Sequence, residues 1–142
     1  MLGQNMGKGI FGRLAFGAVL ALAACAPQAP ACTPPAVAAT GFEVYFGRDK
    51  PGGEITDAEW KGFLDGVLSP GFPEGLTVLD AEGHWRDPRS GKTLGERTKL
   101  VLIVAQDGPA GRQALEAATA DYRRRFDQHT VLRVERPVCA TF

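Results

Sequence analysis

The run Lys99–Ala105, with Leu100, Val101, Leu102, Ile103 and Val104 at its centre, constrains this chain more than any other segment. Five consecutive apolar residues between a polar stretch (Asp87–Glu96) and the breaker Asp107-Gly108-Pro109 read as a central strand with apolar side chains on both faces. Successive side chains of a strand point to opposite sides, so one phase meets the packing layer and the other does not. The sequence reading assigns Leu100, Leu102 and Val104 to the packed side. It sends Val101 and Ile103 to the other, where a charge at Ile103 would probe an interface.

The flanking segments supply the layer. Phe42, Val44 and Phe46 alternate with Glu43, Tyr45 and Gly47, the period-2 pattern of a half-buried strand. After the breaker Asp49-Lys50-Pro51-Gly52-Gly53, Thr56 and Glu59 form a capping box. Trp60, Phe63, Leu64, Val67 and Leu68 then trace one helical face up to Ser69-Pro70-Gly71. Leu76–Ala81 reads as a strand, with a turn at Glu82-Gly83 and a short return through His84, Trp85 and Arg86. Asp107 caps a second helix with Pro109 in its first turn and the stripe Leu115, Ala118, Tyr122 and Phe126. Thr130–Glu135 is the last strand. The order β-α-β-β-α-β predicts an α+β, ferredoxin-like fold, with a four-stranded antiparallel sheet and two helices on one face. The uncovered face is expected to carry Glu43, Tyr45, Thr77, Leu79, Val101, Ile103, Arg133 and Glu135. Apolar residues without a cover mark an interface.

The first 24 residues read as a targeting segment. Lys8 and Arg13 precede an uncharged apolar stretch, Leu14–Ala24, which is shorter than the roughly 20 residues a membrane span needs. It ends in Leu22-Ala23-Ala24-Cys25, which resembles the bacterial lipobox. That resemblance implies cleavage before Cys25, which becomes the mature N-terminus and is modified with diacylglycerol and palmitate. Ala26 rather than Asp after the cysteine resembles Gram-negative lipoproteins that face the periplasm from the outer membrane. Ala29-Pro30-Ala31 offers a secretory cleavage site as the alternative. The expected organisation is therefore a signal peptide at 1–24, a lipidated Cys25 with a Pro/Ala-rich, uncharged tether over 25–40, and a domain of unknown function over 41–142. At roughly 100 residues that domain can build one modest core.

Three cysteines and two histidines exclude zinc-ribbon and multi-histidine metal architectures. With Cys25 lipidated, Cys32 and Cys139 remain, and export to an oxidising compartment favours a disulfide between them over two independent thiols. Lys and Arg balance Asp and Glu at 16 each, so the chain has no net field to draw in nucleic acid.

The motifs Tyr45-Phe46-Gly47-Arg48, Glu59-Trp60, Phe72–Asp80, Gly83-His84-Trp85-Arg86-Asp87, Tyr122–Phe126 and Val131–Val134 resemble the bacterial domain of unknown function 3574 family. The resemblance covers about residues 32–142. It implies a small exported protein, often with a lipobox, bearing a cysteine near each end of the domain, where Cys32 and Cys139 stand. It implies no activity.

No motif identifies a reaction, and no cofactor or metal is implied. Ser90-Gly91-Lys92-Thr93 lacks the upstream glycine of a phosphate loop, because position 86 is Arg. The candidate ligand-binding residues are Tyr45, Arg48, His84 and Arg86: a phenol, two guanidiniums for an anion and an imidazole for proton transfer. Each has a plainer reading, as a surface pair (Tyr45 and Arg48) or as parts of a hairpin (His84 and Arg86). Arg123, Arg124 and Arg125 read as a solvated helix end, and His129 as a loop residue. Two functions follow. One is a lipid-anchored envelope module that binds a partner or a second copy through the open sheet face. The other is a small enzyme or ligand-binding protein with a pocket at a dimeric, barrel-like interface. The first predicts a flat apolar face, the second convergence of the four polar candidates.

Overall fold

The computed structural model describes residues 31–87 and 90–142. The targeting segment, Cys25 and the tether up to residue 30 lie outside the described residues. Strand β1 spans Val37–Gly47 and is followed by the two-residue strands β2 (Asp49–Lys50) and β3 (Gly53–Glu54), which pair with each other. Helix α1 (Asp57–Phe63) starts at the capping box: the Glu59 backbone N–H donates to the Thr56 hydroxyl, and the Glu59 carboxylate accepts from the Thr56 backbone N–H at 2.8 Å. It continues through a π-turn (Leu64–Leu68) into α2 (Ser69–Gly71). The widened turn precedes Pro70, which has no N–H to give to the helix ladder.

Strands β4 (Leu76–Arg86) and β5 (Thr93–Ala105) form a long hairpin. Helix α3 (Gly108–Phe126) and strand β6 (Leu132–Ala140) complete the chain. The sheet order is β4-β5-β1-β6, with every pairing antiparallel. This is the ferredoxin-like arrangement, with both helices on one side of the sheet.

Several boundaries differ from the sequence reading: β1 begins at Val37, inside the span expected as tether, and β6 runs on to Ala140. Glu82-Gly83 does not turn the chain, because β4 runs straight through it. Gly83 lies within the strand, and a Cβ there would fall 2.9 Å from the Thr98 hydroxyl oxygen, so a larger residue would force that side chain to shift. The polar stretch before Lys99 is likewise strand from Thr93 onward. The pairs Gly83↔Glu96, His84↔Gly95, Trp85↔Leu94 and Arg86↔Thr93 carry the hairpin past the end of β1 as a two-stranded arm.

The core is aromatic. Phe46 packs edge-on against Tyr122 at a centroid distance of 4.7 Å, and Phe63 lies 4.9 Å from Tyr122. Trp60 and Phe126 close the cluster, and Leu115 and Leu68 border it. The Tyr122 hydroxyl donates to the Gly47 carbonyl at 2.9 Å, and burial holds its phenol above the usual range. Gly111 lets α3 press onto the sheet: a Cβ there would fall 2.9 Å from that of Ala105 and 3.2 Å from the Phe42 ring.

The phase of β5 is opposite to the one read from sequence. Residues directly across an antiparallel pair share a face, and Phe42 opposes Ile103 while Val44 opposes Val101. Val101 and Ile103 therefore lie in the core at 0% and 3% exposure, whereas Leu102 and Val104 are 37% and 38% exposed on the other side. Strand β6 is inverted in the same way. Arg133 and Glu135 face the helix layer, where Arg112 of α3 reaches over the edge strand to pair with Glu135, and Leu132 and Val134 point outward.

Cys32 and Cys139 form a disulfide with Cα atoms 5.5 Å apart. It ties the segment before β1 to the end of β6 across 107 positions of chain.

Candidate functional site

Every second residue of each strand faces the side without helices. From β4 these are Thr77, Leu79, Ala81, Gly83 and Trp85. From β5 they are Leu94, Glu96, Thr98, Leu100, Leu102 and Val104. Strand β1 adds Glu43, Tyr45 and Gly47, and β6 adds Leu132, Val134, Arg136 and Val138. Tyr45 stands at the centre, with Leu100 across it on one side and Leu132 on the other. Leu79, Leu102, Val104, Leu132 and Val134 surround it, each between 37% and 60% exposed. Glu43, across from Leu102 and Val134, accepts a hydrogen bond from the Tyr45 hydroxyl at 3.1 Å and pairs with Arg136. The charges near the centre thus neutralise each other.

Glu96 is the third charged group on this face. It lies against Gly47, where a Cβ would meet its carboxylate oxygens at 2.7 Å. Burial raises its pKa, the nearby Asp49 carboxylate raises it further, and a hydrogen bond with the Asp49 backbone works the other way. Beyond it, Trp85 and Leu94 stand side by side on the arm at 45% and 40% exposure.

The four polar candidates do not share a site. Tyr45 is on the open face. Arg48 is on the other side, 1% exposed, with Nε 2.9 Å from the Ile55 carbonyl, Nη1 2.8 Å from Asp57 and Glu54 at 3.5 Å. Its guanidinium staples β3 and the start of α1 to the end of β1. His84 lies along the arm on the helix side of the sheet, exposed, 3.1 Å from Glu82. Arg86 sits at the arm's tip and donates to the Gly91 carbonyl at 3.0 Å. Sequence reasoning missed Leu100, Leu102, Val104, Leu132 and Val134 as open-face residues. The signal that would have found them is the phase of β1: its clean alternation fixes which residues can stand opposite it.

The β-α-β-β-α-β chain is matched over residues 42–142 by a family pattern described as a protein of unknown function (DUF3574). The chain belongs to the DUF3574 family. Among solved structures, this DUF3574 chain is similar to a phage SAM lyase in complex with S-methyl-5'-thioadenosine. That match has 15% identity and a TM-score of 0.56, covering 73% of this chain and 90% of that one. It is also similar to a phage SAM lyase in its apo state, at 12% identity and a TM-score of 0.53, covering 74% and 90%. At such identities the likeness is one of fold. Comparison with the curated proteins returns no match.

Proposed function

We propose that this DUF3574 protein is an exported, lipid-anchored module of the bacterial envelope, held to the outer membrane facing the periplasm through Cys25, that self-associates through its open sheet face. The observation that carries the self-association is the aliphatic surface around Tyr45. With Trp85 and Leu94 on the arm, it presents on the order of 500 Å² of apolar surface, at the upper end for a monomer. It approaches the roughly 800 Å² that each partner buries in a standard interface. A second copy suits this face better than a charged partner. Its central ion pair, Glu43 with Arg136, is closed within the face, so a two-fold arrangement about that centre sets no unpaired like charges against each other there, while Glu96 lies off-centre against Gly47. The scatter of Tyr45, Arg48, His84 and Arg86 favours this reading over a small-molecule pocket.

Sedimentation of the mature chain tests it. The native protein is expected to run as a dimer or higher oligomer at micromolar concentration. Leu102→Glu, which puts a carboxylate in the middle of the face, is expected to run as a folded monomer. A native chain that sediments as a monomer, or a Leu102→Glu chain that keeps the native assembly, overturns the proposal.

A further inference from the structure

At one pole of the molecule, where β1 begins and β6 ends, the described residues of those two segments carry no charged side chain. Residues 31–42 and 137–142 contain neither acid nor base, and the fold brings them together. Val37 pairs with Ala140, Ala38 pairs with Cys139, and the disulfide holds Cys32 beside them. Val37 and Phe142 stand exposed there, Phe142 at 63%. On neighbouring elements the exposed carboxylates Asp107 and Glu74 accept from the backbone N–H groups of Ala110 and Gln106. The opposite pole, the arm, is dense in charge: Glu82, His84, Arg86, Lys92, Glu96 and Arg97.

Resting on the lipid-anchor reading above, we infer that the uncharged pole is a membrane-contacting surface, with Phe142 and Val37 seated at the headgroup boundary and the β4–β5 arm pointing away from the bilayer. The leash decides the orientation. Cys32 is fixed to the sheet and follows Cys25 by seven positions, which span at most about 25 Å fully extended. Trp85, near the arm's tip, lies roughly 45 Å along the sheet from Ala140 at the end of β6, given about 3.3 Å per residue of strand. The leash therefore cannot bring the arm to the surface without standing the domain on its side. A surface whose strand ends lack charged side chains, with an exposed aromatic and an exposed aliphatic residue, suits the interface. No lysine or arginine lies on it to demand anionic lipid.

The test uses the full lipidated chain in phosphatidylcholine vesicles, with and without brominated acyl chains that quench tryptophan at the bilayer. Trp85 reports the arm in the native chain. Phe142→Trp and, separately, Val37→Trp report the pole in a Trp85→Phe background, with Trp85→Phe alone supplying the emission of buried Trp60. The pole tryptophans are expected to lose about half of their emission in brominated vesicles, while Trp85 loses none. Unquenched signals from both pole positions, or quenching of Trp85, overturn the inference. The mass of the Cys25 peptide from the same sample separates the two readings. Without the diacylglyceryl adduct, the anchor reading fails and this one with it. With the adduct present and the pole unquenched, only the orientation fails.

Discussion

The two sides of the sheet are built from the same residue types and end in different states. On the helix side, Phe42, Val44, Phe46, Val101 and Ile103 are at most 3% exposed under an aromatic layer. On the other side, Leu102 and Val104 of the same strand β5, with Leu132 and Val134 of β6, stand bare. Hydrophobicity along a strand thus does not decide which phase is interior. The registry with a neighbouring strand whose own alternation is unambiguous decides it, here β1.

The sharpest way to break that contrast is to place one charge on each side. Val101→Asp buries an unpaired carboxylate among Val44, Val78 and the aromatic layer and is expected to abolish cooperative thermal unfolding. Leu102→Glu, one residue along, is expected to keep the far-ultraviolet circular dichroism of the native fold. If both variants unfold alike, the open face is as much a part of the folding core as the helix side, and the distinction falls.

A second effect separates β6 from the other strands. Its helix-facing side chains are Arg133, Glu135, Pro137 and Cys139, so it contributes no aliphatic group to the core and relies on its pairing with β1 and on the disulfide. Reduction of Cys32–Cys139 is expected to cost about 2–4 kcal/mol of global stability, since the bridge closes a long loop. Amide exchange should rise first across Leu132–Ala140, ahead of β5. Uniform exchange across both strands would show that β6 is held by the core after all.

The smallest expected effect concerns Glu96 on the open side. Its folded pKa is raised above that of the unfolded chain. The native state therefore holds the proton more tightly, and stability falls as pH rises from the ordinary glutamate range through the raised value. Glu96→Gln should remove that loss and leave the chain slightly more stable at neutral pH, with a flatter stability profile above pH 5 in chemical denaturation. Glu59 supplies the opposite sign as an internal control. Lys50 and the Thr56 N–H and hydroxyl hold its pKa at about 2. Its contribution is present above the ordinary glutamate pKa and is lost as pH falls toward 2.

The helices were legible because two independent signals agreed for each: a cap (Thr56 with Glu59, or Asp107 with Pro109) and a 3.6-residue apolar stripe. Strand β1 was legible because its polar and apolar residues alternate. The phase of β5 was not, because Leu-Val-Leu-Ile-Val is apolar in both phases and only its partner settles it. The reading of β6 failed for another reason. An edge strand beside a helix that carries Arg112 can turn its charges inward to a salt bridge and its aliphatics outward. Arg48 was unreadable as a staple, since nothing local in Phe46-Gly47-Arg48 shows that the Ile55 carbonyl and Asp57 return to meet it. The open face was foreseen as apolar and uncovered. Its extent was not, since the two misassigned strands both add to it.

The bridge between Cys32 and Cys139 also changes what a single backbone cut means. With almost the whole described domain inside one covalent ring, a protease that clips the exposed Gly52-Gly53 turn opens the ring without releasing a fragment. The severed pieces stay joined at their far ends and remain at high local concentration for each other. Damage of this kind would pass unnoticed on a non-reducing gel and appear only once the thiols are freed.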